Sequence, residues 1–240
     1  MTQLSPAQAT GKPRLARSGY ARIIQVLFGA LVYAVLLFVS AGRLDYIEAW
    51  AFLLIYLGSV TVNFILSLRS NPDVINERGK IARNSRGWDL VIVTLYSILL
   101  VAQVILAGLD AGRFGWSRMP LTFELLGGAG LLAAMAIIAW TMKSNPFLAT
   151  TVRIQSERGH RPVTTGPYSL IRHPMYLGTI VMGPSIGLLL GSWWAVIAGI
   201  TISLLFILRT ALEDSTLRKE LPGYAEYARG VRFRLLPGVW

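Results

Sequence analysis

The side chains best suited to chemistry lie in two stretches of the C-terminal half. The first, Asn145 to Tyr176 (NPFLATTVRIQSERGHRPVTTGPYSLIRHPMY), is the longest polar segment between apolar runs and holds both histidines, His160 and His173. The second holds Arg209 and Glu213, whose four-residue spacing puts them on one face of a helix if the helix continues there. A surface ion pair of small energetic value is the plain alternative for that pair. His173 is open to three roles, as general base, metal ligand or hydrogen-bonding partner, and at an ordinary pKa its neutral form is well populated near pH 7. The chain has no cysteine and no HExxH-type spacing, which argues against a metal centre. Without a cysteine or a GxSxG elbow, nucleophilic hydrolysis also has little support. The chemistry that remains is group transfer governed by positioning and electrostatics.

The elements that must position these groups are membrane helices. Of 240 residues, 54% are apolar and 15% charged. The formal charge of +11 is divided among loops between apolar runs, so it reads as a topology signal rather than a nucleic-acid surface. After a polar tail at residues 1–22, four runs follow: Ile23 to Ser40, Ala49 to Leu68, Leu90 to Leu109 and Leu121 to Met142. Each is close to the ~20 residues that a helix needs to cross the hydrocarbon. Gly128, Gly130 and Ala133 in the fourth run follow no strand and precede no ribose-binding acid, so close helix packing is the better account than dinucleotide binding. Residues 69–88 mix both signs and contain Pro72 and Gly79, which predicts a solvated connector.

The last apolar region, Tyr176 to Leu208, breaks at Gly191 and Ser192 and is predicted to form a short helical hairpin. That split places 20 of the 23 Lys and Arg on one side, leaving Arg43, Arg113 and Arg118 on the other. By the positive-inside rule both termini and the polar loop are cytoplasmic. The expected architecture is an all-α, multi-pass membrane protein with about six membrane segments, in which residues 143–240 form the catalytic region. A bacterial inner membrane is the expected location.

Four segments in order resemble the integral-membrane methyltransferases typified by isoprenylcysteine carboxyl methyltransferase, with phospholipid methyltransferases as relatives. They are VRIQSERGH at 152–160, GPYSLIRHPMYLG at 166–178, RTALEDSTL at 209–217 and LPGYAEY at 221–227. The resemblance implies S-adenosyl-L-methionine as cofactor, leaving S-adenosyl-L-homocysteine as product. It implies a cofactor pocket lined by Gln155, His160, Arg161, Pro162, Val163, Tyr168, His173, Pro174, Met175 and Tyr176, with Glu213 contacting the cofactor from the C-terminal side. Arg209 is implied to face the acceptor and orient its carboxylate. A carboxylate is already a competent nucleophile toward a sulfonium methyl, so desolvation and in-line approach suffice. The expected acceptor is lipidic or prenylated, a small molecule or peptide, entering from the membrane lipids. N-methylation of a phospholipid or other amine is the near alternative, and an NADPH-dependent sterol-type reductase the distant one. The chain departs from the family pattern at Leu221, Pro222 and Gly223 before Tyr224, and at Gly230 before Val231.

Overall fold

The computed structural model describes residues 15–80 and 85–240. Every regular element among them is helical. The predicted tail falls mostly at residues 1–14, outside the described residues, and Arg17 to Arg22 already belong to the first helix. Helices α1 (Arg17–Ala41), α2 (Ile47–Ser70), α4 (Gly87–Ala107), α5 (Leu121–Ser144) and α7 (Trp193–Glu220) are long and apolar enough to cross a membrane. α6 (Pro174–Leu189) is a shorter apolar helix, while α3 (Pro72–Arg78) and α8 (Tyr224–Gly230) are single short pieces. Outward faces carry exposed Ile24, Leu31, Leu54, Val91 and Leu125, as surfaces meant for lipid do.

α4 continues as a π-helical segment, Gly108–Phe114. Gly108 lies against Leu37 and Ser40 of α1, and Gly112 against Ala41, so closely that a Cβ on either would overlap α1. At this end of the bundle the buried Asp110 carboxylate accepts from Ser117 N (2.7 Å), Ser117 Oγ (2.5 Å) and Ser192 Oγ (2.6 Å). Ser192 also caps α7 by accepting from Ala195 N at 3.0 Å. An acid that would be costly if buried alone thus fixes the turn between α6 and α7.

The predicted hairpin forms, with Gly191 at φ +67° in its turn. Gly183 of α6 and Gly199 of α7 face each other so closely that a Cβ on either would strike the other's backbone. Its arms are unequal: α6 has 16 residues but α7 has 28, where two short arms were expected. α7 passes the last apolar residues because its polar extension is stabilised by partners from other elements, described below. Of the small residues singled out in α5, Gly130 abuts α6 as expected, whereas Gly128 has only ordinary contacts and Ala133 is exposed; Gly127 supplies the other close approach to α6.

Residues 72–78 correct the sequence reading. They are not a solvated connector but helix α3, with Val74, Ile75 and Glu77 buried. Glu77 receives Arg153 of the following polar loop and Lys80, so its charge is matched and the helix can sit inside.

Candidate functional site

Residues of α1, α2, α4, α6, α7 and α8, together with Arg78 of α3 and the loop between α5 and α6, enclose a cavity of about 410 Å³. That is within the ~300–1,000 Å³ usual for small-molecule sites. His160, Arg161, Pro162, Val163, Tyr168, His173, Met175, Tyr176, Arg209 and Glu213 all line it. Gln155 and Pro174 lie behind the wall. Gln155 is 1% exposed, with its amide donating to Phe147 O and accepting from Arg158 Nη1, so it shapes the loop from inside. Pro174 is the buried first residue of α6, where its missing N–H costs nothing.

The loop is folded by its own polar groups. Arg158 also donates to Pro146 O at 3.0 Å, and Gly159 at φ +63° turns the chain toward His160. The His160 ring packs on Phe147 with centroids 4.7 Å apart, and its Nδ1 accepts from Gln155 N at 3.3 Å. Burial, with Arg153 and Arg158 nearby, pushes His160 down to about 4, so the ring is neutral at physiological pH. Tyr168 is tied twice: its hydroxyl accepts from Asn145 Nδ2 (2.8 Å) and its carbonyl from Tyr227 Oη (2.7 Å). Burial raises its phenol well above the usual value.

His173 stands at the mouth of α6 with its ring parallel to Tyr176 at 5.7 Å. Its Nε2 is 3.4 Å from Asp214 Oδ1 and 3.3 Å from Tyr224 Oη. Asp214, fully buried, also takes Arg172 Nε (2.8 Å), Tyr224 Oη (3.0 Å), Arg218 Nε (3.0 Å) and Arg234 Nε (3.0 Å). Arg172 Nη1 donates onward to Val231 O and Arg232 O, each at 2.7 Å. One carboxylate therefore binds the loop, α7, α8 and the C-terminal segment into a single wall. Of the three roles open to His173, the observed geometry is that of a hydrogen-bonding partner within this network.

The pair singled out by spacing divides in space. Glu213 faces the cavity and accepts a hydrogen bond from Tyr176 Oη. Arg209 does not pair with it. Its Nε and Nη2 meet Asp89 Oδ1 and Oδ2 of α4 at 2.8 and 3.1 Å, and Nη2 also donates to Thr150 O at 3.0 Å. Asp89 in turn accepts from Val152 N at 2.6 Å, and Arg209 lies over the Tyr176 ring at 5.0 Å. Arg209 thus keeps a cavity position but with its charge balanced, and it holds the loop as well as facing the site.

Sequence reasoning missed Asp89 and Asp214. Asp89 looks like an ordinary acid in the first turn of a helix, favoured by the dipole. Asp214 was masked by its neighbour Glu213, since consecutive helical residues point in different directions. It also missed Arg22, Tyr33, Tyr56, Arg78 and Tyr96, all lining the cavity from the N-terminal helices. Among the described residues no group of three or more His, Asp or Glu is placed to hold a metal ion.

Comparison with known proteins adds a chemical class to this geometry. Residues 123–222, from the first turn of α5 to just past α7, match the family model described as phospholipid methyltransferase. The nickel-cobalt-cadmium resistance protein NccN of Alcaligenes xylosoxydans xylosoxydans is 28% identical over 131 residues, 54% of this chain and 58% of that protein. The cobalt-zinc-cadmium resistance protein CzcN of Cupriavidus metallidurans is 30% identical over 132 residues, 54% of this chain and 57% of that one. The chain therefore spans less than two thirds of the length of either relative.

Proposed function

We propose, from the match of residues 123–222 to the phospholipid methyltransferase family model, that the chain moves a methyl group from S-adenosylmethionine to a carboxylate on a lipidic or prenylated acceptor. The observation that carries the reading is the meeting of Glu213 with His160, Tyr168 and Tyr176 on one cavity. The donor set fits the cofactor. Glu213 is the carboxylate on the wall, suited to an ammonium or sulfonium, and the tyrosine rings offer π faces to the same charge. Arg161, exposed at the rim, suits the amino-acid carboxylate. Neutral His160 and Phe147 make a flat wall for a base.

When bound, S-adenosylmethionine supplies a methyl group on a positively charged sulfur. The chain's part is to orient and to dry the site. Tyr176 holds Glu213 in place through its hydroxyl, and Arg209, fixed by Asp89, presents the edge of a guanidinium to the incoming acceptor. Bringing an anion toward a cation lowers charge separation on the way to the transition state, so a water-poor pocket favours the reaction. The predominance of Lys and Arg in the loops around this end supports a cytoplasmic site.

The description of the matching family favours a second reading, N-methylation of an aminophospholipid. Supplying methyl-labelled S-adenosylmethionine with a prenylated thioether carboxylate and, separately, with an aminophospholipid distinguishes the acceptors. Base-labile label on the carboxylate supports the ester; base-stable label on the aminophospholipid alone refutes it.

A further inference from the structure

Six arginines line the cavity, and four of them are accounted for. Arg153 pairs with Glu77, Arg172 with Asp214 and Arg209 with Asp89, while Arg161 is in solvent. Arg22 of α1 and Arg78 at the end of α3 are different. Both are half-buried, and neither guanidinium has a hydrogen bond or ion pair among the described residues. They are close enough to repel each other, and Arg78 also feels Arg209. Burial together with these neighbours brings Arg78 down to about 9.

Three tyrosines surround them. Tyr33 of α1, Tyr56 of α2 and Tyr96 of α4 line the cavity with Arg22 and Arg78. None of these three hydroxyls has a hydrogen-bond partner among the described residues. Among the described residues, this part of the cavity is rich in donors and has no carboxylate of its own, and Glu213, the one carboxylate lining the cavity, is engaged by Tyr176. Half-buried cations without counter-ions are costly, and an oxyanion with two or more free oxygens removes the cost. Beyond the tyrosines a second cavity of about 70 Å³ shares Tyr33, Tyr56, Tyr96 and Leu100 and continues past Val104, Met182 and Ile186. From Arg22 to Tyr33 the wall runs about 16 Å along α1, so the ligand would be polar at one end and apolar at the other.

We infer that Arg22 and Arg78, with the hydroxyls of Tyr56 and Tyr96, form a subsite for the oxyanion head of an amphiphile, distinct from Arg209 and contributed by the N-terminal helices, with Tyr33 further along toward the apolar end. Calling that amphiphile the methyl acceptor rests on the methyltransferase reading above; the binding itself does not. A carboxylate and a phosphate headgroup share the required chemistry.

The test uses the purified full chain in neutral detergent and reads binding by thermal shift. The probes are a farnesylated thioether carboxylate, its neutral methyl ester, a short-chain phosphatidylglycerol, inorganic phosphate and S-adenosylhomocysteine. The carboxylate or the phosphatidylglycerol should bind at least about tenfold more tightly than the ester, and whichever binds names the source. Arg78→Gln and Arg22→Gln should each weaken that binding about tenfold or more, Arg78→Lys should retain part of it, and all should keep the wild-type response to S-adenosylhomocysteine. Equal binding of ester and acid, equal binding of phosphate alone, or unchanged binding in Arg78→Gln with that response intact would each overturn the inference. Absence of any S-adenosylhomocysteine response in the wild type would instead count against the methyltransferase reading, while loss of amphiphile binding in Arg78→Gln would still support the subsite.

Discussion

Arg209 of α7 and Asp89 of α4 meet in a two-point ion pair 120 positions apart in sequence, with Nε–Oδ1 at 2.8 Å and Nη2–Oδ2 at 3.1 Å. Because Asp89 also accepts from Val152 N and Arg209 donates to Thr150 O, the pair fixes the loop between α5 and α6 against a helix outside the matched family region. The N-terminal helices are thus part of the site's frame and not only a membrane anchor.

Asp89→Ala should be among the more damaging single changes at the site. It leaves the buried Arg209 charge without its counter-ion, a loss of ~3–5 kcal/mol for a buried pair. Asp89→Asn, which can still accept from Val152 N, should fall between it and the wild type. Melting temperatures in detergent check the order, and a double change of Asp89 to Leu and Arg209 to Met should recover much of the loss.

Neighbouring carboxylates should separate cleanly by assay. Asp214→Asn weakens the ion pairs with three arginines, Arg172, Arg218 and Arg234, and should lower the melting temperature, by roughly 2 kcal/mol or more of stability. Glu213→Gln keeps an acceptor for Tyr176 and should melt within about 0.5 kcal/mol of the wild type, yet lose the stabilisation given by S-adenosylhomocysteine. Melting curves with and without ligand read both effects.

His160 gives a pH signature. Its folded-state value of about 4 lies below the ordinary histidine value of 6.5. Below 6.5 the unfolded chain takes up the proton before the folded one, so the contribution of this residue is present above about pH 6.5 and is lost as pH falls toward 4. Melting temperature against pH should therefore fall more steeply over that window in the wild type than in His160→Gln.

Gly199→Leu tests the hairpin. With its Cβ overlapping the Gly183 backbone, α6 and α7 would have to part, which moves His173 and Tyr176 away from Glu213. Both the melting temperature and the binding of S-adenosylhomocysteine should fall, whereas a leucine at exposed Gly58, where nothing lies within 4 Å, should change neither.

Much of this was legible in the chain because hydropathy and charge carry it. The four long runs, the break at Gly191 and Ser192, and the return of α7 to the loop all follow from apolar length and the placement of Lys and Arg. The motif residues of the loop line one cavity, apart from Gln155 and Pro174, whose polar groups or ring serve the loop from behind. What could not be read were pairings over long sequence separation. Nothing local marks Asp89 as the partner of Arg209, or Glu77 as the anchor of Arg153, and without those partners α3 looks like a polar connector. Arg22 and Arg78 were counted as topology charges, which is what bases beside apolar runs usually are; only their position on a shared cavity distinguishes them.

Direct binding of labelled S-adenosylmethionine to the purified full chain tests the central claim. Saturable one-site binding is expected, displaced by S-adenosylhomocysteine and not by NADPH, and weakened at least about tenfold in Glu213→Gln. Binding of NADPH with no displaceable S-adenosylmethionine would contradict it.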